Sequence, residues 1–209
     1  MPSLLLIRHG ENDLAKRGVL AGRMPGVHLN ETGRGQAQAL ADALRRLPIK
    51  IVYSSPLERA VETAEPLAKA LGVRLQRDAG LLESNVGRWE GKSVRRLALG
   101  RYWRIVQHSP SRATHPGGES FMQIQTRVVS ALEAICATSK PGDMIACVLH
   151  SDPIKLAVAH YIGLPLDHFQ RLACDPASVT LLEIGPGSAR LMWLNRQPPF
   201  TVPAPATRK

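Results

Sequence analysis

Two wholly apolar runs constrain the fold of this chain more than any other feature. Residues 4–7 and residues 144–149 contain only aliphatic side chains, one methionine and one cysteine. A strand that reads as a continuous apolar run is typical of a parallel sheet covered by helices on both faces. The two runs therefore predict strands that are buried on both faces although they lie far apart in the sequence.

The segments between these runs alternate between strand and helix patterns. A short strand at 51–53 precedes a helix start, with Ser55 as N-cap, Pro56 at the first position and Glu58 at the third. Pro66 is expected to kink or end that helix. The other predicted elements are a helix at 33–47, a strand at 73–76, helices at 91–106, at 119–137 and from Ser151 with the same capping, and a hairpin of 179–184 with 190–194. This alternation predicts the α/β class, as a three-layer sandwich with a mostly parallel central sheet flanked by helices.

Charged residues follow three of the predicted strands at the point where each strand ends. Arg8 and His9 follow the first strand, Arg59 lies shortly after the second, and His150 follows the fourth. Ligands of such sheets bind beyond the carboxyl ends of the strands. Two arginines and two histidines are therefore expected to converge on one site.

This set of residues suits a phosphate monoester. Arg8 and Arg59 can each donate two hydrogen bonds to phosphate oxygens, and Arg59 lies in a first helical turn, where free backbone N–H groups also favour an anion. A neutral imidazole such as that of His9 can attack phosphorus and form a covalent intermediate. Gly10 lets the backbone turn sharply beside the ligand.

Ordered motifs extend this pattern over residues 4–155. They are R-H-G-E at 8–11, S-S-P-L-E-R-A-V-E-T-A at 54–64, L-E followed by G, W, E and G within 82–91, P-G-G-E-S at 116–120, and L-H at 149–150. Together they resemble the motifs of the histidine phosphatase superfamily, which includes the cofactor-dependent phosphoglycerate mutases. The resemblance implies a phosphoglycerate mutase-like fold and the phosphatase branch of the family.

Carried over residue by residue, the resemblance implies the catalytic roles. His9 becomes phosphohistidine, while Arg8, Arg59 and His150 bind the phosphoryl group and stabilise its transition state. Glu83 protonates the leaving oxygen and then activates water, which requires a raised pKa that apolar neighbours could supply. No cofactor and no metal are implied, and the sequence shows no cluster of metal ligands. The further residues expected to contact the substrate are Asn12, Arg23 and Ser151.

Two positions depart from the family pattern. The family often has an Asn six positions after the first His, where this chain has Ala15. The contact is then either missing or made by another residue. The family also commonly has Gly after its second His, where this chain has Ser151. The second departure lies beside the expected phosphate pocket and can mark a subgroup with its own substrate.

Length and cysteine content indicate the domain organisation. With 209 residues, of which 44% are apolar, the chain can form one domain, expected at 1–196 and carrying the catalysis. A tail at 197–209 with four prolines is expected to be extended or disordered. The three cysteines form no C-x-x-C pair, so neither a zinc site nor a disulfide framework is indicated.

The net charge of the chain indicates which kinds of partner it can bind. The formal net charge is +10, from 27 Lys and Arg against 17 Asp and Glu, which favours anionic partners and here a small phosphorylated substrate. Only three Phe, three Tyr and three Trp are present to stack on bases, which argues against a nucleic-acid partner. The apolar run at 4–7 is too short for a signal peptide or a membrane span, so a cytoplasmic protein without a membrane partner is expected. A homo-oligomer is left open.

Three functions remain as alternatives. Hydrolysis of a small phosphomonoester is favoured over a phosphomutase activity, because the mutases of the family are longer, with extra segments that exclude water. A non-catalytic binder of phosphate or nucleic acid would explain the positive charge. Such a binder would not need an acid at Glu83.

Overall fold

The computed structural model describes residues 1–185 and 187–199. Thirteen helices and strands follow one another along these residues. The strands are β1 (Ser3–Arg8), β2 (Ile49–Ser54), β3 (Leu75–Arg77), β4 (Met144–Leu149), β5 (Val179–Gly185) and β6 (Ser188–Arg196). The helices are α1 (Asp13–Lys16), α2 (Glu31–Leu44), α3 (Glu58–Leu71), α4 (Val94–Leu97), α5 (Arg101–His108), α6 (Phe121–Ala137) and α7 (Ser151–Tyr161). Short 3-10 turns lie at Ala79–Leu81, Gly87–Trp89, Pro110–Arg112 and Leu166–Arg171.

The six strands form one sheet in the order β3-β2-β4-β1-β5-β6. The three pairs on the β3 side are parallel, and β5 pairs antiparallel with both β1 and β6. The predicted α/β fold with a mostly parallel sheet is therefore confirmed. The antiparallel part comes from β5 and β6, since β5 runs opposite to both of its neighbours.

Alternating residues of the central strands pack into two separate cores. Leu5 and Ile7 of β1 face a cluster that includes Leu40 of α2 and Leu67 of α3. Leu4 and Leu6 face a second cluster that includes Val128 and Leu132 of α6 and Val158 of α7. The four apolar residues of β1 are fully buried, as the apolar run predicts. Helices thus cover both faces of the sheet, which confirms the three layers.

The start of α3 differs from the prediction. The helix begins at Glu58 after Leu57, and no side chain caps it. The Ser55 hydroxyl instead contacts His150, at 2.9 Å from its Nε2, so the predicted N-cap role of Ser55 is wrong. Pro66 also lies inside α3 without ending it. The buried Leu67 beyond the proline offsets the lost hydrogen bond, because tertiary packing supplies most of the stability of a helix in a protein.

Two further helices deviate from their predicted bounds. The predicted helix at 91–106 is divided into α4 and α5, with Gly100 at the boundary, because glycine is a poor residue for a helix interior. The residue that caps α7 is His150, without a side-chain cap bond, so the predicted capping by Ser151 is wrong. Ser120 caps α6 with a capping box that includes Gln123, close to the predicted start.

Two further predictions concern the C-terminal tail and membrane spans. Residues 200–209, most of the predicted disordered tail, lie outside the described residues, and the division at 196 stays a prediction. Within residues 1–185 and 187–199, no helix combines the length and the apolar character needed to cross a bilayer.

Candidate active site

The carboxyl ends of three neighbouring parallel strands meet at one edge of the sheet. His9 directly follows β1, Ser55 follows β2 and His150 follows β4. Backbone hydrogen bonds hold the three ends together, from His9 N to the Leu149 carbonyl at 3.0 Å and from Ser55 N to the Val148 carbonyl at 2.8 Å. The two histidine rings lie 5.1 Å apart between centroids, in an edge-to-face arrangement. The predicted convergence therefore occurs.

The backbone carbonyl of Gly10 fixes the tautomer of His9. His9 Nδ1 lies 2.7 Å from the Gly10 carbonyl oxygen, which can only accept, so Nδ1 donates and Nε2 carries no proton and keeps its lone pair. A Cβ at Gly10 would lie 2.7 Å from the Gly33 carbonyl oxygen, so the close approach of the two backbones requires glycine. Burial, and then the charges of Arg59 and Arg8, hold the pKa of His9 well below its usual value. The imidazole is thus neutral and has the tautomer of a nucleophile at Nε2.

Two guanidinium groups lie close to His9, and each has one N–H donor without an acceptor in the described residues. Arg59 Nε donates to His9 Nε2 at 3.3 Å, and its Nη2 donates to the Gly22 carbonyl at 2.8 Å. Arg8 Nη1 donates to the Cys174 carbonyl at 2.6 Å. Arg59 Nη1 and Arg8 Nε are buried, and neither finds an acceptor among the described residues. Since buried donors are almost always paired in folded proteins, these two indicate a place for an anion.

His150 completes the cluster from the end of the neighbouring strand β4. Its side chain is fully buried, and its Nε2 is 2.9 Å from the Ser55 hydroxyl. Its Nδ1 lies 3.8 Å from Glu83 Oε2 and has no hydrogen bond within the described part of the chain. Burial and the charge of Arg59 lower the pKa of His150 well below its usual value, so this ring is neutral as well.

Glu83 is held over the strand ends by its backbone. Its carbonyl accepts from Arg23 Nε at 2.8 Å, and Arg127 Nη1 donates to the preceding carbonyl, that of Leu82, at 2.9 Å. Burial raises the pKa of Glu83, and the carboxylate of Asp152 raises it further, while the charge of Arg59 opposes the shift. The expected direction of this pKa shift agrees with the structure. The contribution of Asp152 was missed.

Of the three residues expected to contact the substrate, two line the cavity and one does not. Asn12 and Ser151 line the cavity above His9, and Asn12 Oδ1 also accepts from Ala15 N at 2.9 Å, as the cap of α1. Arg23 is not among the lining residues, because it holds the Glu83 carbonyl and pairs with Glu119 at 2.8 Å. Substrate contact by each of these residues stays a prediction.

The sequence analysis missed three residues that shape the site. Ser55 lies in the second motif, four positions before Arg59, and Asp152 directly follows Ser151; their position shortly after a predicted strand was an available signal. Arg127 lies in the middle of α6, and nothing in the local pattern there indicates that it reaches the loop before Glu83.

The site opens into a cavity of about 250 Å³, lined by Arg8, His9, Arg59, Glu83 and apolar residues. Pockets for drug-sized ligands usually measure roughly 300–1,000 Å³, so this volume suits a small substrate. A larger groove of about 1010 Å³ contains none of the expected site residues, because it runs between α2 and α3 on the surface.

His9, Glu83 and His150 also form a group that could hold a metal ion. Their potential ligand atoms all lie within 4.8 Å of one another. The sequence showed no such cluster, because the three residues come from distant segments that only the fold brings together; the absence of a metal requirement stays a prediction. The adjacent guanidinium groups of Arg8 and Arg59 disfavour a cation at the same place, since their charges lower the pKa of both histidines.

Comparisons with known proteins place this arrangement in a family. Residues 4–197 match the family model of the histidine phosphatase superfamily, branch 1. The chain belongs to this superfamily.

Relatives of this histidine phosphatase have names from two reaction classes. It is 29% identical over 184 residues to a 2,3-bisphosphoglycerate-dependent phosphoglycerate mutase of Thermoplasma acidophilum, covering 88% of each chain. It is 28% identical over 187 residues to phosphoserine phosphatase 1 of Hydrogenobacter thermophilus, covering 88% of this chain and 87% of that protein. The solved structure of a mycobacterial glucosyl-3-phosphoglycerate phosphatase matches with a TM-score of 0.83 and 29% identity, over 92% of this chain and 98% of that one. The names of these relatives therefore do not decide between hydrolysis and isomerisation.

Proposed function

We propose that this histidine phosphatase hydrolyses a small phosphomonoester through a phosphohistidine on His9, without a metal ion. The observation that carries the proposal is the unprotonated Nε2 of neutral His9, close to two arginines that each have a buried N–H donor without an acceptor in the described residues. These donors can hold a phosphate dianion in front of the nucleophile. We further propose that residues 1–196 form the catalytic domain, and the cytoplasmic location stays a prediction.

The first step forms a nitrogen–phosphorus bond. His9 Nε2 attacks phosphorus as the bond from phosphorus to the ester oxygen breaks. Glu83, whose pKa is raised by burial, gives its proton to the leaving oxygen, so that a neutral alcohol departs. Arg8 and Arg59 stabilise the negative charge on the remaining phosphoryl oxygens. The products of this step are an alcohol, phosphohistidine and ionised Glu83.

The second step returns the enzyme to its starting state. Ionised Glu83 takes a proton from water, and the resulting hydroxide attacks phosphorus as the nitrogen–phosphorus bond breaks. Inorganic phosphate leaves, Glu83 is again protonated and His9 is again neutral. The same carboxyl group thus acts as acid and then as base, which is why its pKa has to be raised.

The alternatives are a phosphomutase and a non-catalytic binder. The name of the Thermoplasma relative supports a mutase activity. A mutase, however, has to protect its phosphohistidine from hydrolysis by water. A binder would gain nothing from a buried carboxyl group with a raised pKa beside the nucleophile.

Phosphate release and isomerisation can be measured on the same enzyme preparations. We expect the wild type to release phosphate from a panel of phosphomonoesters and His9→Ala to release none. His160→Ala is the matched control, because His160 is an exposed histidine on α7. Conversion of 3-phosphoglycerate to its isomer faster than phosphate release would make the chain a mutase. Anion binding by a protein with no activity on any ester would make it a binder.

A further inference from the structure

The cavity has a cationic floor and an apolar wall. Arg8 and Arg59 are the only cations that line it within the described part of the chain, and both lie beside His9. The carboxylates that line it are those of Glu83 and Asp152. The rest of the wall is mainly apolar, with Ala15, Val19, Leu20, Ala21, Val86 and Val94, and it includes the uncharged polar side chains of Asn12, Ser84 and Ser151.

The phosphate group of a substrate uses both cations. A phosphomonoester dianion brings two negative charges, and the unpartnered donors of Arg8 and Arg59 match them. A second anionic group on the alcohol part would extend from the phosphate toward the wall. It would meet apolar side chains there and would have no cation to compensate its loss of hydration.

Asp152 adds a carboxylate to the lining of the cavity, which disfavours a second anion there. Its side chain is 30% exposed, and its Oδ1 lies 3.0 Å from Lys155 Nζ. Lys155 does not line the cavity, because Gln170 Oε1 holds its Nζ at 2.8 Å and the Phe169 ring lies 5.0 Å from it. The ion pair therefore fixes the Asp152 carboxylate in place without presenting a cation to the substrate.

We propose that this cavity selects phosphomonoesters whose alcohol part is apolar and carries no second anionic group. The inference rests on the proposed phosphatase function and concerns the same cavity. The net charge of +10 alone would favour the opposite, because long-range attraction draws in the more anionic ester. Discrimination against a second anion would thus be a property of the cavity wall and not of the protein surface.

Two esters of equal chain length test the proposal. Pentyl phosphate and 4-carboxybutyl phosphate have similar leaving groups, and they differ in one carboxylate at the far end. We expect kcat/KM to be at least about tenfold higher for pentyl phosphate, since like-charge contacts and unpaired charges strongly disfavour a wrong ligand. In Asp152→Asn the ratio should narrow at least about threefold, because one like charge is removed. The ratio isolates this effect, since any change at Glu83 acts on both esters.

Two further variants complete the test. Asp42→Asn removes the same charge from an exposed position on α2 and should leave the ratio unchanged. Ala15→Arg adds a cation to the wall at an exposed position and should raise kcat/KM for the carboxylated ester selectively. Equal use of both esters by the wild type, or a ratio that neither Asp152→Asn nor Ala15→Arg changes, would overturn the inference while phosphate release still supports the function. No phosphate release from any ester would overturn the proposed function itself.

Discussion

Replacing Arg59 with lysine should reduce activity while preserving the charge of the site. The Arg59 side chain is buried and has three nitrogens with separate tasks, since Nη2 holds the Gly22 carbonyl, Nε contacts His9 and Nη1 has no acceptor in the described residues. Lysine keeps the positive charge but has one nitrogen in place of three. The substitution therefore removes hydrogen bonds to the phosphoryl group without removing the cation.

The size of the effect follows from the unpartnered donor. A hydrogen bond to a charged group contributes about 1.5–3 kcal/mol, and Arg59 Nη1 is free to make at least one such bond. Loss of one bond in the transition state corresponds to a decrease of about 10- to 150-fold in kcat/KM. A larger decrease would mean that Nε also moves from His9 to the phosphoryl group during the reaction.

The assay is steady-state phosphate release from pentyl phosphate, with thermal unfolding measured on the same samples. Arg34→Lys is the matched control, because Arg34 is an exposed arginine on α2 whose Nη1 also donates to a backbone carbonyl, that of Leu29 at 2.7 Å. We expect Arg34→Lys to retain wild-type activity. A folded Arg59→Lys protein with kcat/KM within about twofold of the wild type would refute the assignment of Arg59 as a phosphate ligand.

Three other outcomes are expected. EDTA should leave activity unchanged, because two guanidinium groups supply the positive charge at the site. Loss of activity that a divalent metal restores would instead show that His9, Glu83 and His150 bind a metal ion. Glu83→Gln should lower the rate on alkyl esters by roughly 10²–10⁴-fold and much less on aryl esters, and rapid-quench labelling should detect phosphoprotein in that variant; equal deficits on both esters would contradict the acid role. Stability in urea should decrease as the pH falls below the ordinary histidine pKa of 6.5, because the unfolded chain then protonates His9 and His150 while their lowered pKa values keep them neutral in the fold. The raised pKa of Glu83 has the opposite effect on stability above pH 4.5. His150→Gln removes one of the two histidine contributions and should therefore make the free energy of unfolding depend less steeply on pH. An unchanged slope would contradict the neutral state of His150.

Local patterns in the sequence were enough to predict the sheet and the edge at which the site lies. The apolar runs of β1 and β4 have no amphipathic alternation, and only strands covered on both faces can bury them completely. Arg8, His9 and His150 follow these runs directly. Once the strands are parallel neighbours, their carboxyl ends have to meet, so the convergence of these residues was predictable.

Helix boundaries were less predictable, because tertiary contacts compete with local signals. Ser55 has the side chain of a good N-cap, yet its hydroxyl contacts His150, a residue 95 positions away in the sequence. Pro66 is a local signal for a helix end, and the packing of the following turn in the core outweighs it. Such competition cannot be decided from the residues adjacent in sequence.

The sequence by itself therefore determined which residue types reach the site and which chemistry they can perform. Only the tertiary structure decided their protonation states and their mutual distances. The tautomer of His9 depends on the path of the Gly10 backbone, which the close approach of Gly33 constrains. The raised pKa of Glu83 depends on burial and on Asp152, which lies 69 positions later in the chain. The physical reason is that hydration and electrostatic energies depend on distances through space, and periodicity along the chain contains no information about those distances.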